Sequence, residues 1–235
     1  MKQSLTRAII MTGVAAGVLA AGTAPSLAQD EAVNDGGYVR LSVGATFVSD
    51  WTQDLSYNPN VVFVTAPASS QTVDNGTALA FSAALGFDYA DGIRTELEYR
   101  YASTPVGSVT PVGGPSLGGP VKDSIGAHFV MTNFYFDFAN SSALTPFIGG
   151  GVGGAFVTNE NDQRDSALAL QARAGVAIAL GEGLSADAEF VYLRSNELDF
   201  GPGIDEFVVG GPVGPAITGA RYQSSTAMLS VRKKF

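Results

Sequence analysis

The sequence predicts an all-β chain closed into an eight-stranded antiparallel up-and-down transmembrane β-barrel. Three observations lead there. A two-residue hydrophobic period recurs in eight segments, short and long connections alternate between them, and aromatic residues gather at both ends of the apolar phase.

The N-terminal segment stands apart from this pattern. Lys2 and Arg7 precede the apolar stretch AIIMTGVAAGVLAAGTA, and Ser26 and Ala28 put small residues where a signal peptidase reads. Residues 1–28 are therefore expected to be a cleavable signal peptide, and residues 29–235 the barrel. A spanning helix fits less well, because the run is short, rich in Gly and Ala, and followed directly by such a site. Loss of Lys2 and Arg7 with the signal takes the formal charge from −9 to −11, which argues against nucleic acid as a partner. With no cysteine, the chain is neither a disulfide scaffold nor a thiolate metal site.

The strands follow in order. YVRLSVGATF alternates Val39, Leu41, Val43, Ala45 and Phe47 with Tyr38, Arg40, Ser42, Gly44 and Thr46. TALAFSAALGFDY sets Leu79, Phe81, Ala83, Leu85, Phe87 and Tyr89 against Ala80, Ser82, Ala84, Gly86 and Asp88. IRTELEYRY is the clearest, because Ile93, Thr95, Leu97, Tyr99 and Tyr101 alternate strictly with Arg94, Glu96, Glu98 and Arg100. In HFVMTNFYFDF the apolar side is Val130, Thr132, Phe134, Phe136 and Phe138, leaving Met131, Asn133, Tyr135 and Asp137 opposite. TPFIGGGVGGAF lacks the Gly-Lys-Ser/Thr ending of a phosphate loop, so its glycines are expected to give room on a crowded inner face. ALALQARAGVAIAL and LSADAEFVYL, with Gln171, Arg173, Asp187 and Glu189 on the polar phase, precede the terminal segment TAMLSVRKKF.

Short links (ADG, ANSSAL, GEG) join strands two to three, four to five and six to seven, whereas the other connections are longer. Short turns on the periplasmic side and four long extracellular loops, at about 48–76, 102–125, 157–166 and 194–224, are the arrangement of a transmembrane barrel. A soluble ligand-binding barrel would share the period, but the aromatics argue against it. Phe47, Tyr99, Tyr101, Phe156 and Tyr192 lie near the long loops, and Phe87, Tyr89, Phe136, Phe138 and Phe235 near the short turns, as two interfacial girdles would. Unpaired backbone groups cost several kcal/mol each in hydrocarbon, so strand eight must close on strand one.

The inward phase then carries six cations, Arg40, Arg94, Arg100, Arg173, Arg232 and Lys234, and six anions, Asp88, Glu96, Glu98, Asp137, Asp187 and Glu189. Paired, they form a charge network plugging the barrel interior; unpaired, they would line a narrow porin-like channel for small solutes.

The signal, the GGYVRLSVG opening, TPFIGGGVG, RTELEYRY and the strand ending at Phe235 together resemble the small outer-membrane β-barrel proteins of Gram-negative bacteria. This group includes opacity-protein-like and porin-family surface antigens, similar in shape to the OmpA transmembrane domain. The resemblance implies the bacterial cell outer membrane as location, with lipid and lipopolysaccharide around the barrel. It also implies that the terminal strand, with Ala227, Leu229, Val231 and Phe235 on one phase, is the signal read by the barrel-assembly machinery. Lys233 departs from that pattern, and its ammonium is expected to snorkel into the head groups.

No residue set suggests catalysis, a cofactor or a metal centre. His128 has no Ser or Asp spacing of a relay, and Phe-Val-Met follows it where lipid A deacylases of this shape carry His-x-Ser-Asn. The loops are left as candidates for a host or surface ligand, through their Gly-Pro-Val segments, and for divalent cations bridging lipopolysaccharide phosphates, through Asp50, Asp54, Asp74, Asp199, Asp205 and Glu206. The expected role is a structural, surface-exposed barrel contributing to envelope integrity and surface interactions.

Overall fold

The computed structural model describes residues 36–58, 67–114, 123–201, 207–208, 211–212 and 215–235. The expected signal peptide lies outside the described residues, as do Asp205, Glu206 and parts of three long loops.

Alternation becomes a ring of eight long strands. These are β1 (Gly36–Val48), β4 (Thr77–Tyr89), β5 (Ile93–Val112), β6 (Ser124–Asp137), β7 (Leu144–Thr158), β8 (Arg164–Gly181), β9 (Leu184–Phe200) and β12 (Ala216–Lys234). Each pairs antiparallel with its neighbours in that order. The ring closes where β12 meets β1, in register from Tyr38 opposite Lys234 to Val48 opposite Ser224. Closure leaves no edge in hydrocarbon, which is the condition for spanning a bilayer with strands.

The short turns use the residues that such turns require. Asp91 and Gly92 both have φ of 75°, and the β8–β9 turn runs through Gly181, Glu182 and Gly183 at 95°, 54° and 71°. Glycine holds this left-handed region without the steric cost that a side chain incurs. At the β6–β7 turn, Asn140 donates to the Leu144 carbonyl at 3.0 Å and accepts from the Ser142 amide at 2.8 Å.

The outer wall carries the apolar phase: Leu41, Leu79, Leu85, Leu97, Phe134, Leu170, Leu229 and Val231 are all exposed beyond half of their surface, which is lipid contact here. Inside, the β7 glycines make room. A Cβ on Gly151 would lie 2.1 Å from Asn133 Oδ1, and one on Gly149 2.6 Å from the Tyr135 ring.

The strands outrun the loop boundaries that the sequence suggests. β5 continues to Val112 and β12 begins at Ala216, so much of the 102–125 and 194–224 segments is wall. Segment 48–76 contains β2 (Trp51–Ser56) and β3 (Ser70–Asn75), a hairpin that joins β12 on one side and β5 on the other. It takes over the place of β1 and β4 where those end, so the wall continues above them. Two short strands, β10 (Phe207–Val208) and β11 (Gly211–Pro212), pair with each other.

In this upper part the amphipathic pattern inverts. Ile125, Phe129, Met131, Val157, Leu193, Leu198, Tyr222 and Trp51 form a buried apolar cluster inside, while Arg221 and Glu197 pair on the outside. A barrel segment surrounded by water needs an ordinary apolar core, whereas the segment in lipid needs an apolar exterior. The lower interior is therefore polar and charged, while the upper one is built around an apolar cluster with buried amides beside it, not the uniformly polar core that the sequence reading supposed.

Candidate functional site

The centre of the lumen is built by the inward phase of β1, β5, β6, β8 and β9. Arg40 (β1) donates to Glu189 (β9) at 2.6 Å and to Glu96 (β5) at 2.7 Å. β5 and β9 lie four places apart in a ring of eight, so this one guanidinium ties opposite walls. Arg173 (β8) does the same from the other side, reaching Glu98 (β5) at 3.0 Å and Glu189 at 3.2 Å. The Tyr135 hydroxyl (β6) donates to Glu96 at 2.7 Å and accepts from Arg40 at 3.0 Å and from Arg173. Tyr38 donates to the other Glu96 oxygen at 2.9 Å.

Above this layer, Arg100 pairs with Glu98 at 3.3 Å and donates to Gln171 at 2.6 Å. Asn133 donates to Glu98 at 3.0 Å, which fixes the phase of β6 with Asn133 inside. Below it, three pairs ring the short-turn end: Arg94 with Asp137 (bidentate, 2.6 and 2.7 Å), Lys234 with Asp88 (2.7 Å) and Arg232 with Asp187 (3.6 Å). All twelve charges singled out in the sequence thus face the lumen side, with Lys234 and Asp137 at its wetter rim. Breaking one member of such a buried pair costs about 3–5 kcal/mol, because its partner is left charged and desolvated.

The long-loop end of the barrel holds a group that the sequence did not single out. The β7–β8 turn folds inward, with Asn159 Oδ1 accepting from the amides of Asn161 (3.0 Å) and Gln163 (2.9 Å). Glu160 at its tip is 1% exposed. It meets the β2–β3 hairpin on the far side, where Gln71 donates to Gln53 at 2.6 Å and reaches Glu160 at 3.5 Å. Burial holds the Glu160 carboxyl above the usual carboxylate range, and among the described residues only amide groups compensate its charge. Nothing in an Asn-Glu-Asn turn marks it as a cap until the hairpin opposite is in place.

The terminal strand presents Ala227, Leu229, Val231 and Phe235 on the outer phase. The Phe235 amide donates to Gly37 at 3.0 Å, and its ring lies over Gly37. Lys233 donates to the Glu182 carbonyl, tying the chain end to the β8–β9 turn. His128 is on the outer wall, with Nδ1 2.7 Å from the Tyr99 hydroxyl. Of the loop acids, the Asp50 carboxylate accepts from the Asn75 amide at 3.1 Å, and the Asp199 amide donates to Asp165. Among the described residues, no group of three or more His, Asp or Glu side chains is placed to hold a metal ion.

Residues 121–200 match the family model described as surface antigen. The chain is 24% identical to outer membrane protein PagN of Salmonella typhimurium over 187 residues, 70% of this chain and 76% of that one. Its fold is similar to the outer membrane protein OprG of Pseudomonas aeruginosa, with a TM-score of 0.50 at 15% identity, covering 84% of this chain and 95% of OprG. Neisserial surface protein A aligns over 86% of this chain and 99% of its own, with a TM-score of 0.49 at 16% identity. The closed ring with its apolar outer wall, the fold shared with OprG and the likeness to PagN meet in one conclusion: the chain is a small eight-stranded β-barrel protein of the Gram-negative outer membrane.

Proposed function

We propose that this barrel is a closed structural protein that contributes to envelope integrity and presents its extracellular end for surface interactions. The observation that carries the reading is the pair of guanidiniums, Arg40 and Arg173, each joining β5 to β9 across the lumen. A path for solutes along the axis would have to break these contacts and then pass the apolar cluster around Trp51 and the Glu160 cap. The likeness of residues 121–200 to surface antigens, and of the chain to PagN, supports a role at the cell surface. Lipopolysaccharide around the wall, the barrel-assembly machinery acting on the strand ending at Phe235, and a host or surface ligand at the loops are the partners this role calls for.

The test is single-channel recording of the folded protein in a planar bilayer, with a heat-modifiable gel shift establishing that the barrel is formed. The expected result is silence from the native chain and from a folded Arg40→Ala, Arg173→Ala double variant, whose axis the apolar cluster around Trp51 still closes. Stable, reproducible steps from the native chain would replace this reading with a narrow porin-like channel for small solutes.

A further inference from the structure

A groove of about 590 Å³ lies on the outer wall where β6, β7 and β8 leave the apolar band. Its lining includes His128, Phe156, Thr158, Arg164 and Ser166. Backbone pairing explains why they converge: His128 is opposite Phe156, which is opposite Ser166, while Thr158 and Arg164 are paired one row higher. His128, Phe156, Arg164 and Ser166 are exposed, on the same phase as the lipid-facing Val130, Val152 and Leu168 below them.

The height of the groove follows from strand geometry. His128 is nine residues along β6 from Asp137 at the periplasmic rim. At about 3.3 Å per residue and a tilt of about 40°, that is roughly 23 Å, close to the ~25 Å apolar band of such barrels. The groove therefore opens at the level of outer-leaflet head groups, with Phe156 and Tyr99 at the acyl boundary.

Its chemistry is that of an anion site. Arg164 is exposed in the lining of the groove, where its planar fork can offer two donors to two oxygens. With Nδ1 of His128 engaged by Tyr99, Nε2 is the ring atom left to face a ligand. The hydroxyls of Ser166 and Thr158 supply further donors. The one carboxylate in the lining, Asp165, is on the inward phase and already accepts from the Asp199 amide at 2.7 Å. In a chain whose formal charge is −9, an exposed guanidinium sharing a groove with an imidazole is a local reversal of sign at the depth where lipid phosphates sit.

We propose that this groove binds the phosphate group of an outer-leaflet glycolipid, with Arg164 and His128 holding the phosphate and Phe156 packing against the first acyl carbons. The occupant is a lipid and not a free anion because the site has an apolar floor continuous with the lipid-facing wall. The assignment does not depend on whether the lumen conducts.

The experiment is native mass spectrometry of the full folded chain, released from micelles containing diphosphorylated lipid A, dephosphorylated lipid A or inorganic phosphate. NMR of the His128 ring in bicelles with the same additions runs alongside. Retention of lipid A should fall about tenfold in Arg164→Ala with His128→Ala, the effect of losing charge-assisted bonds. Lys233→Ala, at the periplasmic girdle, should retain lipid A as the native chain does. Equal retention of phosphorylated and dephosphorylated lipid A, or retention indifferent to the Arg164 and His128 changes, would overturn the proposal. A His128 shift produced equally by inorganic phosphate would also overturn it, reducing the groove to a simple anion site. Arg164→Lys, which keeps the charge and loses the fork, separates an electrostatic effect from misfolding and should retain an intermediate amount.

Discussion

Glu160 shows how a single residue can report on a whole end of the molecule. Its carboxylate is closed in by the inward turn and by Gln53 and Gln71, and burial raises its affinity for the proton. A carboxyl whose folded pKa is raised favours the folded form while it is protonated, and this contribution is lost as pH rises from the ordinary carboxylate value through the raised one. The cap is therefore expected to be tighter at mildly acidic pH than at neutral pH. Amide hydrogen exchange of residues 159–163 should slow as pH is lowered, after correction for intrinsic rates. Glu160→Gln keeps the shape and removes the titration, so its protection should be pH-independent and match the acidic native chain. Unchanged pH dependence in that variant would assign the effect to another group.

At the scale of elements, the β2–β3 hairpin divides what sequence could and could not reveal. The eight spanning strands were legible because lipid demands an apolar outer phase, and period two then separates Leu97 and Tyr99 from Glu96 and Glu98 without ambiguity. Above the membrane that demand lapses. Trp51, Gln53, Gln71, Val73 and Asn75 all turn inward, a mixture of polar and apolar residues with no phase to read, so the hairpin passed for a loop. The same change hid the upper core: Phe129 and Leu193 stand on the inward phase, where the lower lumen had set the expectation of polar residues. The charge partners were legible as types but not as pairs, since Arg40 meets Glu189 only once the ring closes 149 positions along the chain. The hairpin is predicted to be a separable piece of wall. β3 is flanked by β2 and β5, so Thr72→Pro puts a residue without an N–H inside the sheet, where proline is not accommodated, and should unzip the hairpin locally. External protease should then cut between residues 49 and 76, while the heat-modifiable gel shift persists. Loss of the gel shift in a variant that reaches the membrane would mean that the hairpin is needed for ring closure itself.

The whole molecule is two barrels stacked on shared strands, and different forces hold each. Below, backbone pairing in hydrocarbon and the lumen charges resist opening, because every broken pair leaves polar groups without water. Above, stability comes from apolar burial around Trp51, whose ring lies 6.4 Å from Phe200 and 6.3 Å from Tyr222. That core weakens in urea as a soluble domain would, at roughly 1–3 kcal/mol per molar for a small protein. The chain has one tryptophan, and it stands in the upper core, so its fluorescence reports the upper tier alone. Titrated with urea in bicelles, Trp51 emission should shift to the red at a lower concentration than that which abolishes the heat-modifiable band. Two separated transitions would establish that the surface end can open while the membrane ring stays closed, the property a surface-exposed barrel needs if its mouth is to meet a partner without leaking. A single coincident transition would make the long strands one cooperative unit, and opening the mouth would then require disturbing the membrane ring as well.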